Sequence, residues 1–199
     1  MNIAEINNEV GDMDLFLFDL ILKGEVERDM RVLDAGCGSG RNLFFFLKQG
    51  FDTTGVDIDQ SEINASNFLS RGLGRGDVCS QASLSNLPFD DGSFDFVICS
   101  RVLHFANSAE EFYKMMFELA RVLSPSGLLY LSMDSMVGLE NQLKEIDEHK
   151  HQFPDGSIRF VLTENRLLEI EKSWVYRISP RTVNFNGQHV ETTLILRKG

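Results

Sequence analysis

The chain has 199 residues, 43% hydrophobic and 25% charged, a balance suited to one well-cored globular domain and too short for two. Nineteen Lys and Arg against thirty Asp and Glu leave a net charge of −11. Such a surface repels phosphate backbones and anionic lipid, which argues against nucleic acid and membranes as partners.

The three cysteines, Cys37, Cys79 and Cys99, form no Cys-x-x-Cys pair and have no histidine at zinc-ligand spacing. They read as buried thiols in a reducing compartment, with no metal site. Residues 1–10 lack the basic and apolar regions of a signal peptide, and the apolar stretch 15–22 is too short to span a bilayer. Both features imply a cytoplasmic protein.

Along the chain, Asp12 is placed to cap a helix over 13–23 that stops at Gly24. Residues 31–34 read as a buried strand, followed by the glycine-rich turn 36–40 and a helix over 42–49. A second strand over 53–56 ends at Asp57. A helix over 61–70, a strand within 76–82 and a strand over 94–99 follow. Ser108 and Glu111 form a capping box ahead of Phe112, Met115, Met116, Leu119, Ala120 and Leu123, which keep the 3.6-residue period of a core-facing helix. After the turn 125–127 comes a fifth strand over 128–133. Strands alternating with helices at this spacing predict right-handed βαβ units.

The pattern changes after Asp134. A polar helix is expected over 138–150, a loop over 149–156 and a helix from its cap at Thr163 through 171. Strands over 174–184 and 189–197 flank Asn186-Gly187, a strong hairpin signal. The expected fold is α/β: a Rossmann-like doubly wound sheet, mostly parallel, with an antiparallel C-terminal β-hairpin. We expect a single domain over 1–199, with an N-terminal cover over 1–30. Residues 134–162 form an insertion able to lie as a lid over the carboxyl ends of the strands.

The central feature is Asp34-Ala35-Gly36-Cys37-Gly38-Ser39-Gly40, with a strand leading in and a helix leading out. Glycines let the chain turn sharply and let a ligand approach the backbone closely. Asp57, at the end of the second strand, can accept hydrogen bonds from both hydroxyls of a ribose. Strand, turn, helix, strand and acid, in that order, define a pocket for an adenosine-bearing cofactor. A nicotinamide fingerprint needs a sixth-position glycine, where this chain has Arg41. Asp34 would also face a pyrophosphate; at about 5 Å and an effective dielectric near 20, two like charges repel by roughly 3 kcal/mol. A ligand carrying an ammonium and a sulfonium suits that carboxylate, so electrostatics favour S-adenosylmethionine.

These residues resemble the first motif of the class I S-adenosylmethionine-dependent methyltransferases, of the type 11 and type 12 kind. The resemblance covers about residues 30–133. Gly55-Val56-Asp57 is similar to that family's ribose-binding acid. Leu87-Pro88-Phe89 with Gly92-Ser93-Phe94-Asp95 is similar to the signature before its fourth strand. The resemblance implies a cofactor site drawn from Asp34, Gly36, Cys37, Gly38, Gly40, Asn42, Asp57, Ile58, Ser83, Leu84 and Ser100, with S-adenosylhomocysteine as product. Ser83 stands where the family has an adenine-contacting Asp; its hydroxyl and the Leu84 N–H can still reach the ring. A shorter similarity, Gly36–Asn42 with Gly50-Phe51-Asp52, is to the tellurite-resistance and thiopurine-type branch, which acts on soft or small acceptors.

Methyl transfer is an in-line displacement that asks chiefly for positioning and exclusion of water. A neutral acceptor needs a base, for which His104 after the fourth strand is the candidate; an anionic acceptor needs a cation, for which Arg101 is the candidate. His149, His151 and Arg159 join the site only if the insertion folds over it. Arg41 and Asn42 are expected to fix the loop, and Asp12, Asp14 and Phe16 to belong to the cover. The expected activity is methylation of a small molecule by a monomer or homodimer. Two alternatives stay open: a non-catalytic S-adenosylmethionine-binding sensor or partner subunit, and a nucleic-acid methyltransferase of the same fold. The net charge and the lack of an Asn/Asp-Pro-Pro-aromatic run after the fourth strand argue against the second.

Overall fold

The computed structural model describes residues 2–136, 143–147, 149–173, 176–185 and 189–199. The strands are β1 (Arg31–Ala35), β2 (Asp52–Asp57), β3 (Cys79–Gln81), β4 (Phe94–Ser100), β5 (Leu123–Asp134), β6 (Lys144–Glu145), β7 (Lys150–Gln152), β8 (Ile158–Phe160), β9 (Tyr176–Phe185) and β10 (His189–Arg197). Seven of them form one sheet in the order β3-β2-β1-β4-β5-β10-β9. β1 to β5 run parallel, and β10 returns antiparallel between β5 and β9. This is the doubly wound sheet and closing hairpin expected from the sequence; the Asn186-Gly187 turn itself lies outside the described residues.

The helices are α1 (Ile3–Val10), α2 (Leu15–Leu22), α3 (Leu43–Gln49), α4 (Gln60–Gly72), α5 (Ala109–Val122) and α6 (Glu164–Ser173). Period-two alternation along the strands divides the core between two faces. Val32, Phe96, Ile98 and Tyr130 pack with Leu17 and Leu20 of α2 and Phe46 of α3. Leu33, Val97, Cys99 and Leu131 pack with Phe112 and Leu119 of α5 and Ile170 of α6. With both faces covered, the polar groups collect at the carboxyl ends of the strands, where Asp34, Asp57, Ser100 and Asp134 emerge.

Several local expectations need correction. Asp14, rather than Asp12, caps the helix, which runs from Leu15 to Leu22: the Asp14 side chain accepts from Phe16 N at 2.9 Å and Leu17 N at 3.4 Å. Residues 3–10 form an additional helix, α1. The helix expected over 138–150 is absent from its described residues, which contain β6 and the start of β7. Asp147 Oδ1 accepts from both His149 N and Lys150 N at 2.8 Å, so its side chain closes a turn between these strands in place of a helical turn. The expected loop over 149–156 likewise contains β7. Residues 137–142 and 148 lie outside the described residues. β6, β7 and β8 form a small antiparallel sheet. It is tied to the end of β5 by Leu162 N donating to Asp134 O at 2.9 Å, and to α5 by Phe160 stacked on Phe112 at 4.8 Å.

Candidate active site

The turn after β1 is built on three glycines with positive φ: Gly36 (83°), Gly38 (51°) and Gly40 (97°). At Gly36 no side chain fits, since a Cβ would lie 2.3 Å from Val102 Cγ2. The turn is held from three sides. Gly36 N and Cys37 N donate to Val56 O at 2.7 and 2.9 Å. Gly38 N donates to Asp57 Oδ2 at 2.9 Å, and Ser66 Oγ of α4 donates to Gly38 O at 2.5 Å.

Asp34 lies buried beside this turn, and its Oδ2 has no hydrogen-bond partner among the described residues. Burial is the main cause that pushes its carboxyl up to about 7; Asp57 adds to the shift and Arg41 opposes it. A buried acid left with an unused oxygen suits a cationic ligand, because a nearby positive charge restores its ionised form. The Asp57 carboxylate also accepts from Asp59 N at 3.0 Å through its other oxygen. Each of its oxygens retains acceptor capacity for a ribose hydroxyl.

Two adjoining cavities open above the strand ends. The first, about 420 Å³, is bounded by Gly36, Gly38, Asp57, Ile58, Ser83, Leu84 and Ser100, so seven of the eleven residues expected at a cofactor line one space. Arg101, Val102, Phe105, Asn107, Glu111 and Met115 complete it; Glu111 and Met115 were expected only as parts of a capped, core-facing helix, and Val102, Phe105 and Asn107 were not expected at the site. Ile58 and Phe105 form an exposed apolar rim. The second cavity, about 470 Å³, shares Gly36, Gly38, Ser100, Arg101 and Phe105 with the first, and adds Cys37, Arg41, Asn42, His104 and Arg159. Gly40 lines neither cavity and serves to turn the chain into α3. Asn42 Oδ1 accepts from Asp14 N at 3.0 Å, tying the N-terminal segment to the turn.

His104 sits in a short 3-10 helix, Leu103–Phe105, and is 5% exposed. Its Nδ1 is 3.4 Å from Asp134 Oδ2 at the end of β5, and Asp134 is 1% exposed. The same oxygen accepts from Arg159 Nη1 at 2.7 Å, and Arg159 packs over the Phe153 ring at 5.2 Å. Arg159 of the inserted sheet thus joins the site, whereas His149 instead contacts Arg166. His151 is buried and lines neither cavity. Asp134 is the member the sequence reading passed over. Its only signal in the sequence was an acid at the end of an apolar run. Arg101 has a left-handed backbone (φ 63°) and pairs through Nε with Glu191 Oε2 at 3.3 Å. Arg41 Nη2 donates to Ser100 Oγ at 3.1 Å.

A methyltransferase-domain family profile matches residues 33–131, the stretch from β1 to β5. An uncharacterised methyltransferase of Bacillus subtilis, YodH, is 30% identical over 126 residues, 63% of this chain and 49% of its own. The chain spans about half the length of the curated relatives it matches first, 50% and 48% of them. Among solved structures, an S-adenosylmethionine-dependent methyltransferase of Methanosarcina mazei superposes with a TM-score of 0.74 at 23% identity, covering 89% of this chain and 96% of that one. The 1,6-didemethyltoxoflavin N1-methyltransferase of Burkholderia thailandensis, solved with its substrate and S-adenosylhomocysteine, gives a TM-score of 0.68 at 18% identity, covering 98% and 81%. The glycine turn, the acid ending β2 and the sheet order thus meet in one assignment: residues 33–131 belong to the methyltransferase-domain family, on the fold of the S-adenosylmethionine-dependent methyltransferases.

Proposed function

We propose that this chain transfers a methyl group from S-adenosylmethionine to a small-molecule acceptor. The observation that carries the reading is the shared wall of the two cavities at Gly36, Gly38, Ser100, Arg101 and Phe105. A donor held on the Asp57 side faces an acceptor held on the His104 side. The Burkholderia neighbour, named for methylation of a small heterocycle, agrees with this reading.

The cofactor, when bound, supplies a sulfonium-borne methyl group open to in-line displacement. The chain does the rest. Asp34 offers a negative charge to the ammonium end, Asp57 accepts from the ribose, and Ser83 with the Leu84 N–H meets the adenine. Ile58 and Phe105 cover the cleft with apolar surface and exclude water. The Asp134 carboxylate, 3.4 Å from His104 Nδ1, favours a proton on that nitrogen and so leaves the lone pair on Nε2, the atom that takes a proton from a hydroxyl or amine acceptor. Asp134 fixes that tautomer, and Arg159 fixes Asp134.

Calorimetry with S-adenosylmethionine, S-adenosylhomocysteine and NAD tests the donor half. Binding of both adenosyl ligands with no heat from NAD is expected, and tighter NAD binding would overturn the reading. A methyl-transfer screen over hydroxyl, amine, thiol and carboxylate acceptors, read as S-adenosylhomocysteine release, tests the rest. Release with none of them, despite tight cofactor binding, would favour the sensor alternative.

A further inference from the structure

Arg41 and Arg101 stand where the His104 cavity meets a smaller one of about 250 Å³, walled by Met13, Leu15, Phe16 and Val183. Both residues line both spaces. Arg41 makes no ion pair among the described residues, and its one hydrogen bond to Ser100 leaves several N–H donors unused. Arg101 is held in a left-handed backbone by its N–H donating to Ser132 O at 2.8 Å. Non-glycine residues adopt that conformation only rarely.

Glu191 already shows which group the subsite accepts. It projects from β10, opposite Asp134 on β5 and Val183 on β9, with its side chain only 11% exposed, and it sets a carboxylate on Arg101. Burial is the main cause that raises its carboxyl above the ordinary range, while a hydrogen bond from Ser132 and the Arg101 charge oppose the shift.

We infer that Arg41 and Arg101 anchor a carboxylate of the methyl acceptor, which displaces Glu191 and lays its apolar body between Met13, Phe16 and Val183. This deepens, and rests on, the methyl-transfer reading of the adjoining cleft. A carboxylate fits better than a phosphate monoester because Asp14 and Glu191 border the same cavity, and a second negative charge would meet both at short range. The planar guanidinium fork matches a carboxylate bidentately.

The test titrates the full chain, saturated with S-adenosylhomocysteine, with three probes: octanoate, octyl phosphate and 1-octanol. Octanoate is expected to bind about tenfold or more tighter than either other probe. Arg101→Gln, which leaves Arg41 in place, should lower the octanoate-to-octanol ratio several-fold, a ratio that a general loss of folded protein does not change. Glu191→Gln, which removes the internal competitor, should tighten octanoate several-fold. Equal binding of octanol and octanoate, tighter binding of octyl phosphate, an unchanged ratio in Arg101→Gln, or weaker octanoate binding in Glu191→Gln would each overturn the assignment. The titrations are repeated without S-adenosylhomocysteine. Carboxylate selectivity in a protein that binds no adenosyl ligand would count against the methyl-transfer reading alone.

Discussion

The Tyr130 hydroxyl donates to Asp14 Oδ1 at 2.6 Å, joining β5 at the centre of the sheet to the cap of α2. Tyr130 is fully buried, and its phenol is pushed well above its ordinary range, first by burial and then by the Asp14 charge. Since the Asp14 N–H also donates to Asn42 at 3.0 Å, one residue fastens the N-terminal segment to both the sheet and the glycine turn. The wall of the smaller cavity, with Met13, Asp14 and Phe16, depends on that fastening.

Tyr130→Phe removes one charge-assisted hydrogen bond and should cost about 1–2 kcal/mol. Asp14→Ala removes the helix cap as well and leaves the buried phenol without its acceptor, for about 2–4 kcal/mol. Urea unfolding of both variants checks the order. Equal losses would mean that the phenol bond, rather than the cap, carries the attachment.

Gly36→Ala introduces a Cβ 2.3 Å from Val102 Cγ2 at a φ of 83°. The left-handed backbone alone costs about 1–2 kcal/mol for alanine, and the overlap adds to it. Adding Val102→Ala should relieve the overlap and leave the backbone cost, so the double variant is expected to recover part of the lost stability. Full recovery would assign the whole effect to Val102, and none would assign it to the backbone; thermal melts of the three variants separate these outcomes.

The parallel half of the sheet was legible because its strands are near-continuous apolar runs, such as 94–99, punctuated by glycine turns. The candidate site could be proposed from the sequence where its chemistry is local: Asp34, the glycines and Asp57 lie within one βαβ unit. Asp134 was not, because its meaning depends on β4 and β5 lying side by side, a long-range pairing that no local pattern records. The inserted sheet was misread for the opposite reason. Residues 143–152 are polar enough for an exposed helix, and the turn at Asp147 that makes them strands is a single side-chain effect.

Asp34 makes a signed pH prediction. Its carboxyl is raised from 3.8 to about 7 in the folded protein, so between those values the folded state holds a proton that the unfolded state has lost. Stability therefore falls as pH rises through this window, by up to about 4 kcal/mol for this group alone. Asp34→Asn should abolish that decline and make the unliganded protein more stable than wild type near pH 8. Binding runs the other way. A cationic ligand favours ionised Asp34, so the wild-type affinity for S-adenosylhomocysteine should rise about tenfold between roughly pH 6 and 7.5, and the Asn variant should bind weakly without that rise. Unfolding and calorimetry at the two ends of the range check both signs.

His104 and Asp134 are expected to act as one unit, and non-additivity tests it. His104→Gln should lower kcat about 100-fold with S-adenosylhomocysteine affinity little changed, since a base contributes to the transfer step. Asp134→Asn keeps the shape but no longer holds the imidazole tautomer, and should lower kcat about tenfold or more, with some loss of stability as Arg159 gives up an ion pair. If Asp134 acts only through His104, the double variant should be no slower than His104→Gln alone. Multiplied losses would give Asp134 a separate role through Arg159. Wild-type turnover in His104→Gln would instead mean that the acceptor arrives already deprotonated.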